Sequence, residues 1–179
     1  MKIKTLVIGL ATLLLYSPIS AAEVTQVSQI GFVVTNQVSV PVNAEQAYSI
    51  FISDVDKWWP KDHSWWGQEG TFSIDAQAGG CFCEIAGSRS AEHMHIVFVD
   101  PQKTLTMTGA LGPLQGLGLT GALTFQFTAK DNHTTVSMTN SVHGIFDGDF
   151  EQLANIVDQV QSMQINGFKQ RVHNLNPTN

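Results

Sequence analysis

Positive charge is scarce in this chain. Nine lysines and arginines stand against fifteen aspartates and glutamates, a formal net charge of −6. Scattered cations offer phosphates no basic face, so the sequence argues against nucleic-acid binding. Charge of either sign is thin, at 13% of residues, and no repeat, low-complexity tract or internal linker interrupts the chain. That composition excludes disordered, collagen-like and coiled-coil classes. Past residue 22 the sequence holds no second hydrophobic run of bilayer-spanning length. Gly109 to Gly121, GALGPLQGLGLTG, has five glycines but lacks the Gly-Lys-Ser/Thr ending of a phosphate loop, and it runs into a strand pattern. Nothing supports an ATPase, and no Ser–His–Asp order is recognisable. What is plentiful is apolar mass. Of 179 residues 43% are hydrophobic, including ten Phe and four Trp, enough for one well-filled core.

The first residues read as a separate object. Lys2 and Lys4 form a short positive region, Thr5 to Leu15 is apolar, and Ser20 and Ala22 place small residues before Glu23. This is the layout of a secretory signal peptide cut before Glu23. The apolar run is about half the ~20 residues of a stable membrane-crossing helix, and no Cys sits at the cut to receive a lipid. The expectation is a signal peptide over residues 1–22 and a single domain over 23–179, periplasmic or secreted, with no stable membrane span once the leader is gone. Losing Lys2 and Lys4 moves the net charge from −6 to −8.

Along the remaining chain, residues 28–40 alternate as a strand that Pro41 ends. Asn43 reads as an N-cap with Gln46 as its capping-box partner, opening a short helix from Ala44 to Ile52. A second short helix over Asp54 to Trp58 is broken by Pro60, and residues 61–70 read as a loop. Six strand patterns follow: Thr71–Ile74, Cys81–Ile85, Glu92–Val99, Thr104–Thr108, Leu119–Phe127 and Thr134–Val142. The final segment changes period. Leu153, Ile156, Val157, Val160, Met163, Gln164, Phe168, Val172 and Leu175 form one face of a helix of roughly 25 residues. Asp158, Gln161, Lys169 and Arg171 form the other, Asp147 or Asp149 caps its start, and Gly167 is a weak point within it. A one-faced antiparallel sheet needs a cover, and one long helix supplies it. The space between them is a natural ligand cavity.

This order resembles the helix-grip fold of the START-like, or SRPBCC, superfamily. Val40-Pro41-Val42-Asn43-Ala44-Glu45-Gln46-Ala47 is similar to that superfamily's first strand running into its first helix. Asp54-Val55-Asp56-Lys57-Trp58-Trp59-Pro60 resembles the WWP stretch of its ATPase-activator-like and polyketide-cyclase-like branch. Gly79-Gly80-Cys81-Phe82-Cys83-Glu84, His93, Asp100-Pro101 and the stretch from Gly109 to Gln115 resemble a bacterial subgroup of that branch. The resemblance covers about residues 29–175. It implies an α+β helix-grip fold: a curved antiparallel sheet wrapped around a long C-terminal helix, with two short helices after the first strand. It also implies a ligand cavity. Carriers, receptors, cyclases and co-chaperones share this fold, so it does not dictate function.

Several residues are candidates for chemistry. Cys81 and Cys83, the only cysteines, lie about 6.5–7 Å apart on a regular strand. A disulfide wants β-carbons about 3.5–4.5 Å apart, so a bulge would be needed to join them. If the next strand pairs so that Cys83 faces His93 and Cys81 faces His95, two thiolates and two imidazoles share a face fit for zinc or copper(I). A one-residue slip sends the histidines away. Plain packed thiols are the third alternative. Glu84 and His93 form another pair under a different register, either an acid–base device or a structural hydrogen bond. Trp58, Trp59, Trp65, Trp66 and His63 crowd together and either line the cavity mouth or plug the barrel end. The glycine-rich stretch is a lid or a plain connection, with Leu111, Leu114 and Leu117 available to ligand, and Phe168 is placed at the cavity from the helix. His133, His143 and His173 are assigned no role.

The leading reading is an exported carrier or sensor of a small apolar or aromatic molecule, with no cofactor required. The alternatives are a cyclase or dehydratase using Glu84 and His93, a metal-binding module built on Cys81, Cys83 and His93, and a protein-interaction module with a filled interior.

Overall fold

A computed structural model describes residues 23–176; the expected signal peptide lies outside the described residues. Eight strands form one antiparallel sheet: β1 (Glu23–Ser28), β2 (Gly31–Val40), β3 (Thr71–Ile74), β4 (Cys81–Ala86), β5 (Arg89–Asp100), β6 (Thr104–Gly109), β7 (Thr120–Lys130) and β8 (His133–His143). Their order is β1-β2-β8-β7-β6-β5-β4-β3, so β2 pairs with the last strand and the meander β3–β8 runs away from it. Four helices complete the fold: α1 (Ala44–Ser53), α2 (Val55–Trp58), α3 (Pro113–Gly116) and α4 (Phe150–Leu175). This is the α+β helix-grip architecture, a curved sheet holding a 26-residue C-terminal helix.

Local chemistry explains the boundaries. Asn43 Oδ1 accepts from the Gln46 amide at 2.9 Å and starts α1. The reciprocal half of the expected capping box does not form, because the Gln46 side chain donates to Asn176 Oδ1 instead. Asp149, not Asp147, caps α4, accepting from the Glu151 amide at 2.8 Å and the Gln152 amide at 3.3 Å. The strand expected over 28–40 is present from Gly31 to Val40 as β2; its start differs, because Ser28 ends an additional strand, β1, that turns at residues 29–30 and pairs back on β2. Gly31, at φ +157, sits against the Val142 carbonyl, where a Cβ would stand 2.1 Å from the oxygen.

The core joins β2–β8, α1, α2 and α4. Phe51 contacts Trp58, Phe125, Phe127 and Phe168 at ring separations of 4.8, 4.6, 5.4 and 5.4 Å. Gly167 is no weak point. A Cβ there would lie 2.3 Å from the Trp58 carbonyl oxygen, so glycine is what lets α4 approach α2. Arg171 on α4 holds Asp54 with Nε at 2.9 Å and Nη2 at 2.7 Å, fixing the same contact at its rim.

Candidate functional site

A register shift between β4 and β5 builds the site. Cys81 pairs with His95 and Phe82 with Met94, but Cys83 then pairs with Glu92. His93 is the extra residue of this bulge, so it and Met94 both turn inward, 4% and 2% exposed. Neither whole-strand register considered from sequence holds across the hairpin. Glu84 is opposite Ala91, yet its carboxylate meets His93 Nε2 at 3.0 Å.

Glu84 is fully buried and fully employed. It accepts from Ser64 Oγ, from the Trp65 and Trp66 amides at 3.1 and 3.3 Å, and from His93. Gly70 leaves the space for it, since a Cβ there would stand 1.9 Å from Oε1. Burial alone pushes the Glu84 pKa up; the hydrogen bonds from Ser64, Trp65, His93 and Trp66 outweigh it and hold the group below the ordinary carboxylate range. Burial pulls the His93 pKa down, only partly opposed by Glu84. The pair is therefore a carboxylate and a neutral imidazole at pH 7, with His93 Nε2–H donating. Nδ1 is then left with a lone pair.

Beside this pair lies a cavity of about 320 Å³. Its walls are the 59–65 segment, His93, the α3 region from Leu111 to Leu117, and α4 from Leu153 to Gln164. The lining is mainly apolar: Trp59, Leu111, Leu114, Val157 and Val160 inside, with Trp65, Leu117 and Ile156 each about half exposed at the rim. Among the described residues, three buried side-chain polar atoms lack a hydrogen-bond partner: His63 Nδ1, Gln161 Oε1 and Gln164 Oε1. All three residues line this cavity.

Of the residues singled out from sequence, Trp59, Trp65, His63, Leu111, Leu114, Leu117 and His93 come together here. Trp58 does not. It is a core residue, 3% exposed, whose Nε1 donates to the Phe51 carbonyl at 2.9 Å. Trp66 lies outside under the Arg89 guanidinium, 5.4 Å from its ring centroid. Phe168 packs in the aromatic core, fully buried, one helical turn beyond the cavity. The glycine-rich stretch contains the short helix α3, started by Pro113 after Gly112 at φ 52.

Cys81 and Cys83 are joined in a disulfide with Cα atoms 5.5 Å apart, closer than a regular strand allows. The four expected metal ligands are not brought together. His93 turns into the core, and on the outer face Cys81 and Cys83 have Glu92 as neighbour, all within 4.8 Å. His95 Nδ1 is 3.5 Å from Glu92. Sulfurs bonded to each other are not thiolates and offer no strong metal ligand.

Sequence reasoning missed Ser64 and Gln161; it placed Gln164 on the apolar face, where it lies 4% exposed, but gave it no role. Gln161 was assigned to the polar face of the last helix, yet it is 1% exposed. The stripe Val157–Gln161–Gln164–Phe168 has core spacing, and two glutamines within such a stripe are the signal that could have found them. Conversely Ile156, Met163 and Leu175, placed on the apolar face, are about half exposed.

A strongly bent antiparallel sheet, a long closing helix and a hollow between them define a helix-grip protein with a ligand-sized interior. No protein-family model matches the chain, and no curated protein matches its sequence. Solved structures do match. CalU16 from Micromonospora echinospora aligns over 82% of this chain and 78% of its own, with TM-score 0.55 and 11% identity. A protein from Rhizobium leguminosarum aligns over 87% of this chain and 99% of its own, with TM-score 0.58 and 16% identity. Ms6760 from Mycobacterium smegmatis aligns over 82% and 92%, with TM-score 0.55 and 14% identity. At these identities the likeness is one of fold alone.

Proposed function

We propose that this protein is an exported carrier or sensor that holds a small apolar or aromatic molecule between α4 and the sheet. The observation that carries the reading is the roughly 320 Å³ hollow walled by Trp59, Leu111, Leu114, Val157 and Val160, with a half-exposed tryptophan at its rim. A hollow of this size and lining suits a flat apolar guest, which tryptophans stack well. The Cys81–Cys83 disulfide suits an oxidising compartment, in keeping with the signal peptide over residues 1–22. Kinship with the polyketide-cyclase-like branch belongs to the same reading. Native mass spectrometry of protein recovered from the periplasm tests it. The expected result is a chain beginning at Glu23, two hydrogens lighter than its reduced form, with a noncovalent organic mass that is lost on denaturation. A bare chain that also fails to bind any apolar probe saturably would overturn it.

A second reading rests on His93. A neutral imidazole in the cavity wall, oriented by a buried carboxylate, is competent as a general base. It makes a cyclase or dehydratase of this fold chemically reasonable. In that case His93→Gln would abolish turnover of a bound substrate while leaving its affinity within about threefold, whereas a carrier shows no turnover in either protein.

A further inference from the structure

The cavity is not uniformly greasy, and its polar atoms sit where nothing in the protein answers them. Gln161 and Gln164 are 1% and 4% exposed, lie three residues apart on α4, and face the same hollow. Their Oε1 atoms are buried without a partner, as is His63 Nδ1. An unpartnered buried acceptor is costly, and helix α4 bears two of them on successive turns. Val or Leu would fill such positions in a cavity meant for a hydrocarbon. Across from them His93 spends Nε2–H on Glu84 and keeps a lone pair on Nδ1. Rotating either glutamine amide leaves its nitrogen unpartnered in the same place, so the demand for a polar partner does not depend on that choice.

We infer that the guest is an amphiphilic aromatic: a flat apolar body against Trp59 and Leu114, with hydroxyl groups, which both donate and accept, directed at Gln161 and Gln164. This rests on the carrier reading and deepens it by naming the ligand class. Such polar matching makes a site reject the unsubstituted hydrocarbon, because binding it would leave the amides stranded.

Equilibrium dialysis of the exported chain against naphthalene, 1-naphthol, 2-naphthol and 2,7-dihydroxynaphthalene tests the inference. At least one hydroxylated member should bind about tenfold or more tightly than naphthalene. In Gln161→Leu/Gln164→Leu that order should reverse, with naphthalene binding retained as the check that the cavity is intact; Gln161→Met/Gln164→Met serves if the leucine protein does not fold. Naphthalene binding as tightly as every naphthol overturns the inference and leaves the carrier reading standing. A naphthol preference that survives both double substitutions overturns the assignment to the glutamines. Saturable binding of none of the four overturns the carrier reading and the inference with it.

Discussion

Single atoms decide much of this site. Gly167 exists because the Trp58 carbonyl lies where its Cβ would be, 2.3 Å away. Backbone cannot yield as a flexible side chain can, so Gly167→Ala should destabilise by about 1–3 kcal/mol despite alanine's better helix propensity. Urea denaturation checks this; a neutral or stabilising result would mean α4 and α2 are not in contact. His93 makes a pH prediction. Its pKa lies below the ordinary 6.5 through burial, so as pH falls the unfolded chain takes up that proton first. The group's contribution is present above about 6.5 and is lost as pH falls from there through its folded value. Glu84, also lowered from 4.5, adds to the loss at more acid pH, as do Asp54 and Asp56, both lowered from 3.8. The melting temperature should therefore drop between pH 7 and pH 5.5. His93→Gln, which can still donate to Glu84, should flatten that interval while keeping the steeper fall below it. An unchanged slope between pH 7 and pH 5.5 would place the titration elsewhere.

Among the elements, β4 and β5 show how far a strand pattern can be read. Alternation located both strands, but not the bulge at His93, because one extra residue leaves the hydrophobic pattern of each half intact. Regular alternation of β4 puts Glu84 inside and Cys81 and Cys83 on the outer face; the bulge in β5 is what turns His93 inward to meet Glu84. The disulfide closes a ring of only three residues, so loop entropy assigns it little, about 1.6 kcal/mol. Cys81→Ser/Cys83→Ser should therefore melt within a few degrees of the parent and keep its cavity. Loss of folding in that variant would show that the link holds the bulge in place. Helix α4 was legible in extent and cap type, from the spacing of Val157, Phe168 and Val172. Of its two buried glutamines Gln164 was legible as buried from its place on the apolar face, whereas Gln161 was not, since its polarity was read as exposure.

At the scale of the molecule, the order of strands and helices was legible because a one-sided sheet and a long amphipathic helix have few ways to cover each other. The hollow's lining was legible only in part. Trp58 and Phe168 were claimed for the core by Phe51, and sequence spacing cannot tell a core aromatic from a lining one. Three segments distant in sequence, the 59–65 stretch, α3 and the first half of α4, meet around the space. The central claim is that this space is a binding site. Titration with the apolar fluorophore N-phenyl-1-naphthylamine, in the parent and in Val157→Phe/Val160→Phe, which fills the hollow, tests it. One saturable site per chain is expected in the parent, and one about tenfold weaker in the filled variant at matched folding. Equal affinity in the two proteins would contradict it.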